Sequence, residues 1–281
     1  MAEPLLALVE AWRLLAAAGH RVMLVGAVAR EISFDSLLAD RVHRATRDVD
    51  AAVRLPDWAQ YEQVARILTH QGGFRRLEAD GLKFVDATGV ELDLLPFGEI
   101  ADEDDVLRWP NDPHRTLSLK GFLAADATAT ETTVGGVVVR VPTLPSLVAL
   151  KLEAWCDRGP SESKDLEDLV FVLEHATEAL GDRVFDELDG DVIAAVPYDG
   201  LGAFLLGRDV RTTVGRDHAA RLGSIVTGSV LFAPDYRALG RVVGGSHLEV
   251  TVRRFETFCR GLLGEDKNGS SATGSHPRSA R

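Results

Sequence analysis

Between Arg47 and Pro56 the chain reads Asp-Val-Asp-Ala-Ala-Val-Arg-Leu-Pro, placing Asp48 and Asp50 at the head of an apolar run. Ala51, Ala52, Val53 and Leu55 suit a largely buried strand, and Pro56 closes it. Side chains two apart on a strand share a face. If this segment is a strand, two carboxylates project side by side, and like charges so close are unfavourable unless something cationic compensates. A core strand with an acidic head restricts the fold to one whose sheet end opens into a charged site.

The surrounding pattern predicts an α/β (α+β) fold, a mixed β-sheet with flanking helices followed by a helical region. The amphipathic start has Leu5, Leu8, Val9, Trp12 and Leu15 on one face and stops at Gly19. "RVMLVG" is a short strand ending in Gly26, "AVAREISFDSLLAD" a helix, and "DWAQYEQVARILTHQGG" a second helix with Asp57 as N-cap. "FRRLE", "LKFVDA" and "VELDLLPF" read as strands, the last two joined by a Thr-Gly turn. Residues 98–113, acidic and carrying Trp109, Pro110 and Pro113, read as a loop. "TETTVGGVVVRVPT" is a hairpin around Gly135-Gly136. From Leu144 the periodicity is helical. The expected division is an α/β catalytic unit over 1–143, a helical unit over 144–263 and a disordered polar tail over 264–281.

The formal charge of −12 over 281 residues argues against non-specific binding to nucleic acid. The stretch "DRVHRATR" nevertheless gathers Arg41, His43, Arg44 and Arg47 just ahead of the acids. No apolar run is long enough to span a bilayer. Two widely separated cysteines, Cys156 and Cys259, form neither a disulfide framework nor a zinc motif, which fits a reducing cytoplasm. His43, His114 and His218 lack metal-ligand spacing, Ser146 and Ser163 lack a nucleophile-elbow context, and no dinucleotide fingerprint or P-loop is present.

A divalent metal would compensate Asp48 and Asp50, since magnesium takes oxygen ligands and pairs carboxylates with a substrate phosphate. A third acid is expected in two-metal phosphoryl chemistry. "VELDLLPF" supplies Asp93, an acid between two leucines, with Glu91 on the same face as the alternative. Gly26 at a strand-to-helix corner lets backbone N–H groups approach a phosphate. Lys151 interrupts the apolar "LVALKLEAW", and Asp165 stands at the head of the next helix, a favourable place for an acid whatever its role. Arg30, Glu31, Arg158 and Lys164 read as surface charges, and Asp168 as either a partner of Asp165 on one face or a solvated acid.

This order of glycine corner, helix, Asp-x-Asp strand and third acid resembles the nucleotidyltransferase superfamily of DNA polymerase β, CCA-adding enzymes and aminoglycoside nucleotidyltransferases. The nearer likeness is to the AbiEii and MenT toxin-type branch. A Thr stands two residues before the first aspartate (Thr46), "KLEAWCDR" matches a Lys-Leu-x-Ala-x-x-x-Arg pattern, and "KDLEDL" matches a Lys-Asp-x-x-Asp pattern. The likeness covers roughly residues 20 to 210. Two features depart from it: Ala27 replaces the usual second Gly or Ser of the corner, and 21 residues separate Gly26 from Asp48.

The resemblance implies transfer of a nucleoside monophosphate from an NTP to an acceptor hydroxyl. Asp48, Asp50 and Asp93 would bind Mg²⁺ (or Mn²⁺), Gly26, Ala27 and Thr46 would contact the nucleotide, and Lys151 with Asp165 would serve the triphosphate. It further implies a tRNA 3′ end as acceptor and a toxin restrained by a cognate antitoxin. A small-molecule acceptor of the aminoglycoside kind is the alternative enzyme reading. A non-catalytic nucleotide-binding module, for which Ala27 speaks, is the alternative outside enzymology.

Overall fold

The computed structural model describes residues 8–33, 48–78, 81–159, 162–231 and 237–265. Thr46, the basic stretch 40–47 and nearly all of the tail 264–281 lie outside them. The elements that build the site begin with α1 (Val9–Ala17), β1 (Val22–Leu24), α2 (Gly26–Ser33), β2 (Asp48–Arg54) and α3 (Trp58–His70). Strands β3 (Arg75–Arg76), β4 (Lys83–Val85) and β5 (Glu91–Phe97) follow, then the hairpin β6 (Val106–Trp109) and β7 (Asp112–Ser118), and α4 (Phe122–Thr128). The sheet ends with β8 (Thr130–Val134) and β9 (Val137–Val141).

The described residues form a seven-stranded mixed sheet in the order β3-β4-β5-β2-β1-β9-β8. Strand β2 runs parallel to β5 and antiparallel to β1, and β1 runs parallel to β9. The β8–β9 hairpin turns on Gly135 and Gly136, both with positive φ, as a tight two-residue turn demands. Asp57 caps α3 as its sequence position predicts, its carboxylate accepting from the Gln60 amide at 2.8 Å.

Alternation along the strands assigns the two faces of the sheet. Val49, Ala51 and Val53 of β2 and Leu92 and Leu94 of β5 pack with α1 and α3 on one side. Ala52 and Phe97 face the other side, where Leu107, Trp109 and Leu119 around the β6–β7 hairpin cover them together with Leu150. Asp48, Asp50 and Asp93 share the parity of this second face.

The loop expected over 98–113 is instead partly structured: its second half contains β6 and the start of β7. Leu107 and Trp109 are buried while Arg108 between them is exposed, an alternation of the strand kind. Trp109 pairs with Asp112, leaving Pro110 and Asn111 as the two turn residues, so the prolines that suggest a loop mark only its tip. The strand expected over "FRRLE" shrinks to Arg75–Arg76.

Helices follow, as the periodicity predicts: α5 (Leu144–Arg158), α6 (Lys164–Leu180), α7 (Arg183–Asp186), α8 (Gly190–Ala195), α9 (Tyr198–Val214), α10 (Arg216–Ile225), α11 (Arg237–Val243) and α12 (Leu248–Leu263). Their core is separate from those of the sheet. Helix α5 links all three, with Leu147 in the first, Leu150 in the second and Val148, Leu152 and Trp155 in the helical one. Helices α9 and α12 approach until their backbones touch. A Cβ on Gly261 would lie 2.0 Å from the Phe204 carbonyl oxygen, and one on Gly207 would lie 2.2 Å from that of Phe258.

Candidate active site

Strands β2 and β5 pair in register, so Asp50 stands beside Asp93 and Asp48 beside Glu91. Lys83 on β4 lies opposite Asp93 and reaches both acids of β5, with Nζ 3.3 Å from Asp93 Oδ2 and 3.6 Å from Glu91 Oε2. The other Asp93 oxygen, Oδ1, is buried without a hydrogen-bond partner. Asp48 is exposed at the strand end, while Asp50 and Asp93 are half-buried.

Burial, followed by the negative charge of Asp93, raises the Asp50 pKa, and Lys151 and Arg158 only partly oppose this. Asp93 is likewise raised by burial, against the pull of Lys83. These acids thus ionise against their surroundings, as groups held ready for a cation do.

Gly26 begins α2 at the edge of this cluster with φ +64°, and a Cβ there would fall 2.0 Å from Asp50 Oδ2. Only glycine meets both requirements, the left-handed backbone and contact with the carboxylate. The Val25 amide donates to the Asp50 carbonyl at 2.9 Å, joining corner and strand. Ala27, half-buried, is the second residue of α2 and brings no hydroxyl.

Two further cations come from the helical side. Lys151 and Arg158 are seven residues apart on α5, two turns along one face. Asp165 and Asp168, three apart on α6, also share a face. Lys151 Nζ lies 3.1 Å from Asp165 Oδ1 and 2.7 Å from Asp168 Oδ2. Arg158 Nε lies 3.0 Å from Asp165 Oδ2. Burial works against the Lys151 charge, but Asp168 and Asp165 outweigh it and the pKa is raised.

The residues read as surface charges are thus partly reassigned. Arg158 is bound to a buried acid. Arg30, expected to be exposed, is mostly buried, paired with Asp168 Oδ1 and stacked over the Phe171 ring at 5.0 Å. Asp168 is not solvated; it holds Lys151 and Arg30 together. The signal for Arg30 lay in its position, one helical turn after Gly26 on the helix that starts at the corner. Lys83 gave no signal until its strand was registered on β5.

The geometry therefore assembles acids from two strands, a glycine corner and a lysine held by two aspartates. Comparison with solved structures finds the antibiotic-resistance factor ANT(2″)-Ia, described in solution with substrate-regulated conformational dynamics. That match has 15% identity over 63% of this chain and 84% of that one, with TM-score 0.40. The same factor in complex with adenylyl-2″-tobramycin matches at 14% identity over 63% and 89%, with TM-score 0.39. An antigenic nucleotidyltransferase-like protein from Paracoccidioides brasiliensis matches at 17% identity over 69% and 93%, with TM-score 0.40. No curated protein matches the chain. The family model described as "Nucleotidyl transferase AbiEii toxin, Type IV TA system" matches residues 36–196, a span that runs from before the Asp-x-Asp strand through Asp168. With more than half of its length matched, the chain belongs to the AbiEii family of nucleotidyltransferase toxins.

Proposed function

We propose that this nucleotidyltransferase transfers a nucleoside monophosphate from an NTP to the 3′ end of a tRNA, with Asp48, Asp50 and Asp93 as ligands of Mg²⁺ or Mn²⁺. The observation that carries the reading is the pairing of Asp50 with Asp93 across β2 and β5, beside the Gly26 corner.

The donor set suits a hard divalent cation: all ligands are carboxylate oxygens, one of them, Asp93 Oδ1, buried and unpartnered. Among the described residues no three such side chains are already gathered into a cage. Each ion would therefore be held by one or two of these carboxylates, its shell completed by water and substrate phosphates. Once bound, the metal would neutralise charge developing on the phosphates. Glu91, in register with Asp48, is the alternative third acid.

The chain's own groups do the rest. The Gly26–Ala27 corner presents amides at a helix start to the triphosphate; Thr46, the further nucleotide contact that the resemblance implies, lies outside the described residues. Asp165 orients Lys151, whose ammonium balances phosphate charge as the bond to the α-phosphorus breaks. Asp93, raised in pKa by burial, accepts the proton of the acceptor hydroxyl. The acceptor oxygen attacks the α-phosphorus in line and pyrophosphate leaves. The α/β unit, 1–143, would bring Asp48, Asp50 and Asp93, and the helical unit, 144–263, Lys151 and Asp165.

The family's description names a Type IV toxin–antitoxin system, which supports the reading that this chain has a cognate antitoxin, and we infer a cytoplasmic site of action. Among the described residues no helix is long and apolar enough to cross a membrane. The deciding experiment incubates the protein with each α-labelled NTP and either total tRNA or a panel of aminoglycosides, with Asp50→Asn as control. Label on tRNA that vanishes with Asp50→Asn supports the reading. Label only on an aminoglycoside replaces the acceptor, and Mg-NTP binding without pyrophosphate release would point to a non-catalytic module.

A further inference from the structure

Lys151 alone does not fix where its charge sits. Each aspartate that holds it is shared with a second cation. Asp165 gives Oδ1 to Lys151 and Oδ2 to Arg158. Asp168 gives Oδ2 to Lys151 and Oδ1 to Arg30. Three cations therefore share two aspartates, and Glu162 adds a further carboxylate 3.8 Å from Arg158. The third cation does not belong to the helical side. Arg30 sits on α2, one turn beyond the glycine corner, and spans to α6, where Phe171 supports its guanidinium.

We propose that Arg30 is a positioning residue for triphosphate binding: through Asp168 it ties the Gly26 corner to Lys151. The inference rests on the reading of Lys151 as a triphosphate ligand. Without Arg30, Asp168 keeps Lys151 as its one cation among these residues. Asp168 then turns wholly to Lys151, and the ammonium is held more tightly by carboxylates and less available to phosphate. The link between corner and lysine is cut as well, so the two halves of the phosphate cradle no longer keep a fixed separation. Lysine at position 30 preserves the charge and most of the span, though not the stacked plane over Phe171.

The test is calorimetric titration of the full chain with magnesium tripolyphosphate, which reads the phosphate cradle without base or acceptor, alongside thermal melting. Wild type, Arg30→Gln, Arg30→Lys, Lys151→Met and Arg30→Gln/Lys151→Met are compared. Arg30→Gln should weaken binding ~10-fold and Arg30→Lys less than ~3-fold, while in the Lys151→Met background Arg30→Gln should add less than ~2-fold, because residues acting as one unit are not additive. Equal binding by wild type and Arg30→Gln, with Lys151→Met impaired, overturns the proposal and leaves the role of Lys151 standing. Losses that multiply in the double variant, falling in step with melting temperature, also overturn it and make Arg30 merely structural. Unchanged binding in Lys151→Met removes the reading on which the proposal rests.

Discussion

Gly26 and Asp50 fit together as backbone and carboxylate: a methyl group on the glycine would stand 2.0 Å from Asp50 Oδ2. The residue that shapes the corner and the residue proposed to hold the metal cannot be altered independently.

Gly26→Ala should therefore act twice. The left-handed backbone at φ +64° costs an alanine about 1 kcal/mol, and the methyl group must push Asp50 aside. We expect a modest loss of thermal stability and near-complete loss of nucleotidyl transfer, measured by melting and by label transfer on one preparation. An active, fully stable Gly26→Ala protein would show that the carboxylate need not sit against the corner.

Asp50→Asn should separate stability from activity in the opposite sense. Burial and Asp93 oppose the ionisation of Asp50, so a charge there in the metal-free protein works against folding. Asparagine removes the charge at nearly constant volume. Transfer should be abolished while the melting temperature in chelator rises by a few degrees, the stability–activity trade-off of a site poised for a ligand. A lower melting temperature would mean that Asp50 stabilises the apoprotein.

Glu153 offers a pH-dependent test away from the acids. It is 3% exposed on α5 and takes bonds from His218 Nε2 at 2.8 Å and from Arg221 at 2.5 and 3.1 Å. Burial pushes its pKa up, but the bonds from His218 and Arg221 prevail and hold it below the ordinary glutamate value of 4.5. A depressed acid stabilises above its unfolded value and loses that contribution as pH falls through its folded value. Glu153→Gln should cost about 2 kcal/mol near neutral pH, discounted from the fully buried range because Arg221 is well exposed. The gap to wild type should close as the pH drops below 4.5. Denaturant melts at several pH values check this, and a gap independent of pH would refute it.

Gly261→Ala probes the helical core. The new methyl group would meet the Phe204 carbonyl oxygen at 2.0 Å, and rigid helix backbone cannot swing away as a side chain can. Helices α9 and α12 must separate, at a cost of about 3 kcal/mol. A chemical denaturation midpoint equal to that of wild type would contradict the contact.

The sheet was legible where one residue in two is apolar or where a turn residue has a single use. Val49, Ala51 and Val53 against Asp48 and Asp50 announce a strand and its two faces, and Gly135-Gly136 announces a hairpin. The β6–β7 hairpin was hidden because its signal, Leu107 and Trp109, is short and lies between acidic residues and prolines. In the site, Asp48, Asp50 and Asp93 could be picked out because an acid in an apolar strand is expensive and needs a reason. Lys83 could not, and Arg30 offered only its place one turn after Gly26, since a lone cation on a short helix or short strand looks like any solvated charge. Their partners, Asp168 and Asp93, lie 138 and 10 residues away in sequence, and only the packing of α2 and α6 against α5 and the register of β4 on β5 bring them together.

Helix α5 has hardly an idle side. Leu147, Leu150 and Leu152 are each anchored in a different apolar cluster, and Lys151 sits between two of them. Packing defects far apart, under the sheet or deep among the helices, would thus converge on one ammonium group. A random-mutagenesis screen for lost turnover should accordingly return substitutions scattered over the whole chain, with no sharp halo around the carboxylates.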